Sequence, residues 1–276
     1  MPALLPANIS STVRRALSED IGTGDITAEL LPPDLIVSAV VISRETAVLC
    51  GIPWFNEVYK QLDTRVEIVW HCTEGSAVQA DQVLCNLHGP IRTLLTGERC
   101  ALNFLQLLSG TATITSEYVK LLRGTKTKLL DTRKTIPGLR SAQKYAVVSG
   151  GGTNHRMGLY DAILIKENHI RAAGGITAAI TKANALHRQI EIEVENLSEL
   201  NEAIQAGAAR VLLDNFNLEQ IREAVALNKG RCTLEVSGGV SKETLPDIAA
   251  TGVDYISVGA ITKHVRAIDF SMLCDK

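Results

Sequence analysis

The residues that could do chemistry cluster where short apolar runs end. The run at 128–131 is followed by Arg133 and Lys134, and the run at 162–165 by Lys166, with His169 close behind. The run at 190–195 contains Glu191, Glu193 and Glu195, and the run at 210–213 leads into Asp214. Those at 233–236 and 255–258 end in Ser237-Gly238-Gly239 and in Val258-Gly259-Ala260. A polar residue after one buried strand is an ordinary loop. Six in succession, with carboxylates inside one of the runs, describe a site built from strand ends.

Five basic residues belong to this set: Arg133, Lys134, His155, Arg156 and Lys166. An arginine grips a carboxylate through two parallel hydrogen bonds, which lysine cannot do. Taken singly, each would serve as a surface ion-pair partner. Together they form a cationic pocket suited to carboxylates and phosphates, within a chain whose formal net charge is only -2. The glutamates of 191–195 alternate with Ile192 and Val194, so all three share one strand face. In a barrel that face points inward, where a carboxylate must be paired, hydrated or bound to a metal. Parity does not choose between Glu193 and Glu195 at the upper end, while those nearer the bottom read as ion-pair partners. The two glycine turns permit close backbone approach to a phosphate.

Other chemistries leave different marks. The sequence has no G-x-x-x-x-G-K-[ST] loop and no G-x-S-x-G elbow, so neither a P-loop nor acyl transfer through a serine is indicated. Lys166 at a strand end also suits a Schiff-base lyase or aldolase. A non-enzymatic binding protein would have no need of Glu193 and Asp214.

These residues require a particular scaffold. From position 128 onward, apolar runs alternate with amphipathic helix-length segments, the pattern of βαβ units and a parallel sheet. Six units favour a closed or nearly closed α/β barrel over a small open sheet. The first hundred residues differ. They show strand-like pieces at 38–42, 46–50, 66–71 and 78–87, a helix near 12–17 and another near 54–62, with Asp25-Ile26-Thr27 as a turn or helix start. A helix at 92–108 and a second ending at Gly124 link the two regions.

The 276 residues are 46% hydrophobic and 21% charged, which allows one large domain or two ordinary ones. The near-neutral charge gives no sign of a nucleic-acid partner, and no apolar run reaches membrane-spanning length. The N-terminal residues lack a targeting pattern. Six scattered cysteines without metal-ligand spacing read as buried thiols of a reducing compartment, so a cytoplasmic protein is expected.

Several segments are identified together as those of a known family. Asp131-Thr132-Arg133-Lys134-Thr135, Gly150-Gly151-Gly152-Thr153-Asn154-His155-Arg156 and Ile165-Lys166-Glu167-Asn168-His169 resemble the quinolinate phosphoribosyltransferases. So do Leu95-Thr96-Gly97-Glu98-Arg99, Glu193-Val194-Glu195-Asn196, Leu213-Asp214-Asn215, Glu235-Val236-Ser237-Gly238-Gly239 and Ser257-Val258-Gly259-Ala260. The resemblance implies an N-terminal α/β sandwich domain at 1–107 and an incomplete (β/α) barrel at 108–264, with the tail 265–276 packing on the former. It implies a pentosyltransferase of NAD biosynthesis that converts quinolinate and phosphoribosyl pyrophosphate to nicotinate mononucleotide, pyrophosphate and CO₂. It further implies a homodimer in which Arg99 enters the neighbouring subunit's pocket, although helical spacing alone makes Arg99 a surface residue. Arg133, His155, Arg156 and Lys166 would then contact quinolinate, and Thr132 would be a further substrate-binding residue. Lys134, Glu193, Asp214 and the turns Ser237-Gly238-Gly239 and Val258-Gly259-Ala260 would hold phosphoribosyl pyrophosphate and Mg²⁺, with Glu193 and Asp214 as metal ligands, directly or through water. Lys134, Lys166, Glu193 and Asp214 would be the catalytic set, and Glu193 is favoured over Glu195.

Overall fold

The computed structural model describes residues 4–274. Met1 to Ala3, and Asp275 and Lys276 of the tail, lie outside the described residues. The chain forms two compact units, neither continuous in sequence: 1–116 with 135–151 and 261–276, and 117–134 with 152–260.

The first unit is built on an antiparallel sheet of β1 (Ile36–Ser43), β3 (Glu67–Trp70), β5 (Val83–Pro90) and β12 (Phe270–Cys274), in the order β12-β1-β5-β3. A two-stranded pair, β2 (Ala47–Val48) and β4 (Ala77–Val78), accompanies it. The C-terminal strand therefore pairs along β1, from Ala39 opposite Cys274 to Ser43 opposite Phe270. Helices α1 (Ile9–Ile21) and α2 (Ile52–Leu62) supply amphipathic faces to this unit's core. Trp54, Phe55, Val58 and Tyr59 of α2 are all buried, and the Phe55 ring meets Trp70 edge-on at 5.2 Å. Aromatic burial of this kind dominates the energetics of a small core.

One helix, α3 (Ile91–Leu121), replaces the two expected between 92 and 124. Gly110 lies just beyond the expected first helix, and glycine ordinarily weakens a helix. In the fold it allows a close approach instead, since an added Cβ would collide with the Arg266 carbonyl. Helix α4 (Arg140–Ser149) completes this unit.

The second unit holds the six expected runs as parallel strands. They are β6 (Lys128–Leu130), β7 (Ile163–Ile165), β8 (Ile190–Val194), β9 (Arg210–Asp214), β10 (Thr233–Ser237) and β11 (Tyr255–Ser257). Their order, β6-β11-β10-β9-β8-β7, brings the first strand round to the last and leaves the sheet open between β6 and β7. This is an incomplete α/β barrel. Helices follow the strands: α5 (Glu167–Ala173) and α6 (Ile176–Asn184) after β7, α7 (Leu197–Gln205) after β8, α8 (Leu218–Asn228) after β9 and α9 (Leu245–Ala250) after β10. The short α10 (Ala260–Lys263) comes last. Asparagines start two of them. The Asn196 side chain accepts the Glu199 N–H, and Asn217 and Gln220 form a reciprocal capping box.

Register puts like levels side by side. Glu193 lies opposite Leu212, Leu212 opposite Glu235, and Asp214 opposite Ser237. By parity, Arg210, Leu212 and Asp214 share one face of β9, and Thr233, Glu235 and Ser237 share one face of β10. Among the described residues no helix is long and apolar enough to cross a membrane.

Candidate active site

A cavity of about 280 Å³ lies among the ends of the second unit's strands. Thr132, Arg133 and Lys134 reach it from beyond β6, and Lys166 from the end of β7. Glu193 of β8, Asp214 of β9, and Glu235 and Ser237 of β10 line it from the barrel, with His155 and Arg156 entering from the loop after Gly152. Gly238 and Gly239 follow Ser237 with φ of 92° and 61°. Gly259 follows the buried Val258, and an added Cβ there would come within 3.0 Å of the Lys134 side chain and 3.4 Å of Thr132 Oγ1. Ala260 opens α10. His169 instead caps α5, its Nδ1 accepting the Lys166 backbone N–H at 3.0 Å.

The polar groups divide by charge. Lys166 Nζ donates to Glu193 Oε2 at 2.6 Å. Burial raises the Asp214 carboxyl above its ordinary value, and the neighbouring Glu193 charge adds to this against the opposing pull of Lys166 and Lys134. Two carboxylates are thus close enough to feel each other, which is the donor chemistry a hard divalent cation takes. Glu195 lies exposed just beyond β8, where its N–H bonds Glu199. Glu193 reaches the cavity.

On the cationic side, burial lowers the Arg156 guanidinium from its usual range, and the adjacent Arg133 charge lowers it further. Arg133 Nε is buried and has no hydrogen-bond partner among the described residues. Two like charges held together, one with an unsatisfied donor, form a receptor for an anion. Lys134 is exposed, and its backbone N–H is held by Thr132 Oγ1 at 3.0 Å.

The model of the quinolinate phosphoribosyl transferase N-terminal domain matches residues 25–109, and that of the C-terminal domain matches residues 111–273. This chain belongs to the quinolinate phosphoribosyl transferase family. It is 40% identical to a nicotinate-nucleotide pyrophosphorylase (carboxylating) of Mycobacterium leprae, over 95% of each chain. It is 35% identical to a mitochondrial quinolinate phosphoribosyltransferase (decarboxylating) of Nicotiana tabacum, over 99% of this chain and 84% of the other. The solved structure of a nicotinate-nucleotide pyrophosphorylase from Francisella tularensis superposes with a TM-score of 0.96 at 53% identity, over 100% of this chain and 99% of that one.

Beneath these strand-end residues lies a second polar layer that sequence reasoning only partly found. Arg210 Nε donates to Glu191 Oε1 at 2.8 Å, and its Nη2 pairs with Glu235 Oε2. His155 Nε2 lies 2.8 Å from Glu191 Oε2. The reading of lower glutamates as ion-pair partners describes Glu191 well. Arg210 carried no signal, because a basic residue at the start of a strand looks like a solvated end. Glu235 was visible only as part of a family segment. Arg99 lies exposed on α3 in the first unit and is not among the residues lining this cavity.

Proposed function

We propose that this chain joins quinolinate to the phosphoribosyl group of phosphoribosyl pyrophosphate and releases pyrophosphate and CO₂, giving nicotinate mononucleotide for NAD synthesis. The observation that carries the reading is the Arg133–Arg156 pair. Their mutual repulsion and the unsatisfied Arg133 Nε call for a carboxylate between them. The Schiff-base alternative loses support because the Lys166 amine is engaged by Glu193 at 2.6 Å rather than presented alone to a carbonyl.

The residues would divide the work as follows. Arg133 and Arg156 hold the pyridine dicarboxylate so that its ring nitrogen faces the anomeric carbon, with Thr132, His155 and Lys166 beside them. Lys134 and the turns at Ser237-Gly238-Gly239 and Val258-Gly259-Ala260 hold the phosphates. As the nitrogen forms its bond to that carbon, the bond to pyrophosphate breaks through an oxocarbenium-like state, and Glu193 and Asp214 offset the positive charge on the ribose. Glu193 and Asp214 would also hold Mg²⁺, directly or through water, which when bound supplies charge neutralisation to the pyrophosphate. The alkylated, cationic ring nitrogen then stabilises the carbanion left on the neighbouring ring carbon when its carboxylate departs as CO₂, and that electron pair takes up a proton.

The chain would work in the cytoplasm as a homodimer, without nucleic-acid or membrane partners, with Arg99 of one subunit completing the other's pocket. Heterodimers of inactive Arg99→Ala and inactive Asp214→Ala subunits should recover activity; heterodimers shown to form yet fully inactive would refute the shared site. The activity itself is tested by incubating the protein with phosphoribosyl pyrophosphate, Mg²⁺ and either quinolinate or nicotinate. Nicotinate mononucleotide should form from quinolinate far faster than from nicotinate. Equal use of both, or use of neither, overturns the reading.

A further inference from the structure

His155 stands at the cavity wall, yet both of its ring nitrogens are committed to protein partners. The Arg156 backbone N–H donates to His155 Nδ1 at 2.7 Å, so this nitrogen carries no proton. The ring proton then sits on Nε2, which faces Glu191 Oε2 at 2.8 Å. The His155 backbone N–H donates in turn to Oδ1 of the fully buried Asp131 at 2.9 Å. Glu191 is itself fixed from below by Arg210, whose guanidinium also pairs with Glu235 and stacks 4.5 Å from the Tyr255 ring. His155, Arg156 and Glu191 also line a second cavity of about 330 Å³, with Arg210 in its wall. His155 therefore stands in the walls of both hollows, with Glu191 and Arg210 beside it in the second.

We infer that Glu191, backed by Arg210 and Glu235, is a positioning group that locks His155 through Nε2, and that His155 acts by anchoring the Arg156 main chain and so aiming its guanidinium, without giving a ring nitrogen to the substrate. The inference rests on the proposed function, since the anion that Arg156 meets is taken to be quinolinate. Releasing a ring nitrogen to a ligand would cost a charge-assisted bond to Glu191 or the Arg156 N–H bond. Aiming a guanidinium acts on one substrate only, which separates this role from a general structural one.

Wild-type turnover is measured first, and its absence would refute the proposed function without touching the bonds around His155. In Glu191→Gln the quinolinate KM should rise about tenfold, the size expected for a charge-assisted bond, with little change in kcat or in the KM for phosphoribosyl pyrophosphate. In a His155→Ala background the same substitution should add less than about twofold, because the two residues act as one unit. Equal shifts in both KM values, or fully additive effects, would overturn the inference. A spectrum of wild-type protein with ¹⁵N-labelled histidine at mildly alkaline pH gives an answer even if the variants do not fold. The His155 ring should show a protonated Nε2 and a bare Nδ1, unchanged by saturating quinolinate. A proton on Nδ1, or a ring-nitrogen shift when quinolinate is added, would make His155 a direct ligand and the inference wrong.

Discussion

Lys166 Nζ stands 2.6 Å from Glu193 Oε2, so the cation ending one barrel strand is tied to a carboxylate inside the next. Neither charge meets a ligand alone. Glu193 holds the ammonium at the cavity rim, while Lys166 tempers the negative field that Glu193 and Asp214 create together. Lys166→Met and Glu193→Gln should each lower kcat/KM by about 10²–10³, the range seen when a charge-stabilising group is removed. The double variant should lose less than the product of the two. Steady-state rates across this cycle decide it, and a fully multiplicative loss would mean that the pair works as two independent groups.

Arg133→Ala removes the guanidinium whose Nε has no partner. The KM for quinolinate should rise by about 30-fold or more, in line with loss of a bidentate charged contact, and far more than the KM for phosphoribosyl pyrophosphate. Initial-rate titrations of each substrate test this. Equal effects on both would place Arg133 elsewhere in the reaction.

Gly238 adopts φ of 92°, and a Cβ there would strike Asn215 Oδ1. Asn215, itself at φ of 56°, donates its Nδ2 to Asp214 Oδ2 at 2.8 Å. Gly238→Ala should therefore cost about 1 kcal/mol of backbone strain and also push Asn215 off Asp214. Gly124, at φ of 85° with open space around its Cα, supplies the control. Both alanine variants should lose stability in urea denaturation, but only Gly238→Ala should lose most of its turnover. Equal activities would show that the Asn215–Asp214 contact has no functional weight.

Burial, reinforced by the Glu191 charge, pushes the Glu235 carboxyl up to about 7 from 4.5. The folded protein thus holds this proton more tightly than the unfolded chain does. Stability from this group is greatest below the unfolded value, declines as pH rises toward about 7, and is level beyond it. Glu235→Gln should flatten that decline. Urea midpoints measured across the same range will show it, and an unchanged slope would mean that Glu235 is ionised throughout.

Much of this could be read from residue order, for identifiable reasons. The six barrel strands were legible because each is a short apolar run buried on both faces, and the cavity was legible because charge breaks those runs at their ends. Period-2 alternation placed Glu191 and Glu193 on one face but could not say where β8 stops. That boundary after Val194 leaves Glu195 outside the strand. The single helix α3 was read as two; it runs on through Gly110, where the absence of a Cβ admits the Arg266 carbonyl, a contact that helical spacing does not contain. Arg210 was missed because its role exists only through Glu191 and Glu235, which stand 19 and 25 positions away. The bonds that occupy both His155 nitrogens depend on side-chain geometry, which no spacing rule contains.

The most direct measurement uses quinolinate labelled in the 2-carboxylate, incubated with the protein, phosphoribosyl pyrophosphate and Mg²⁺. Labelled CO₂, pyrophosphate and nicotinate mononucleotide should appear in equal amounts and at equal rates. Pyrophosphate released without CO₂, or label retained in the nucleotide product, would contradict the account.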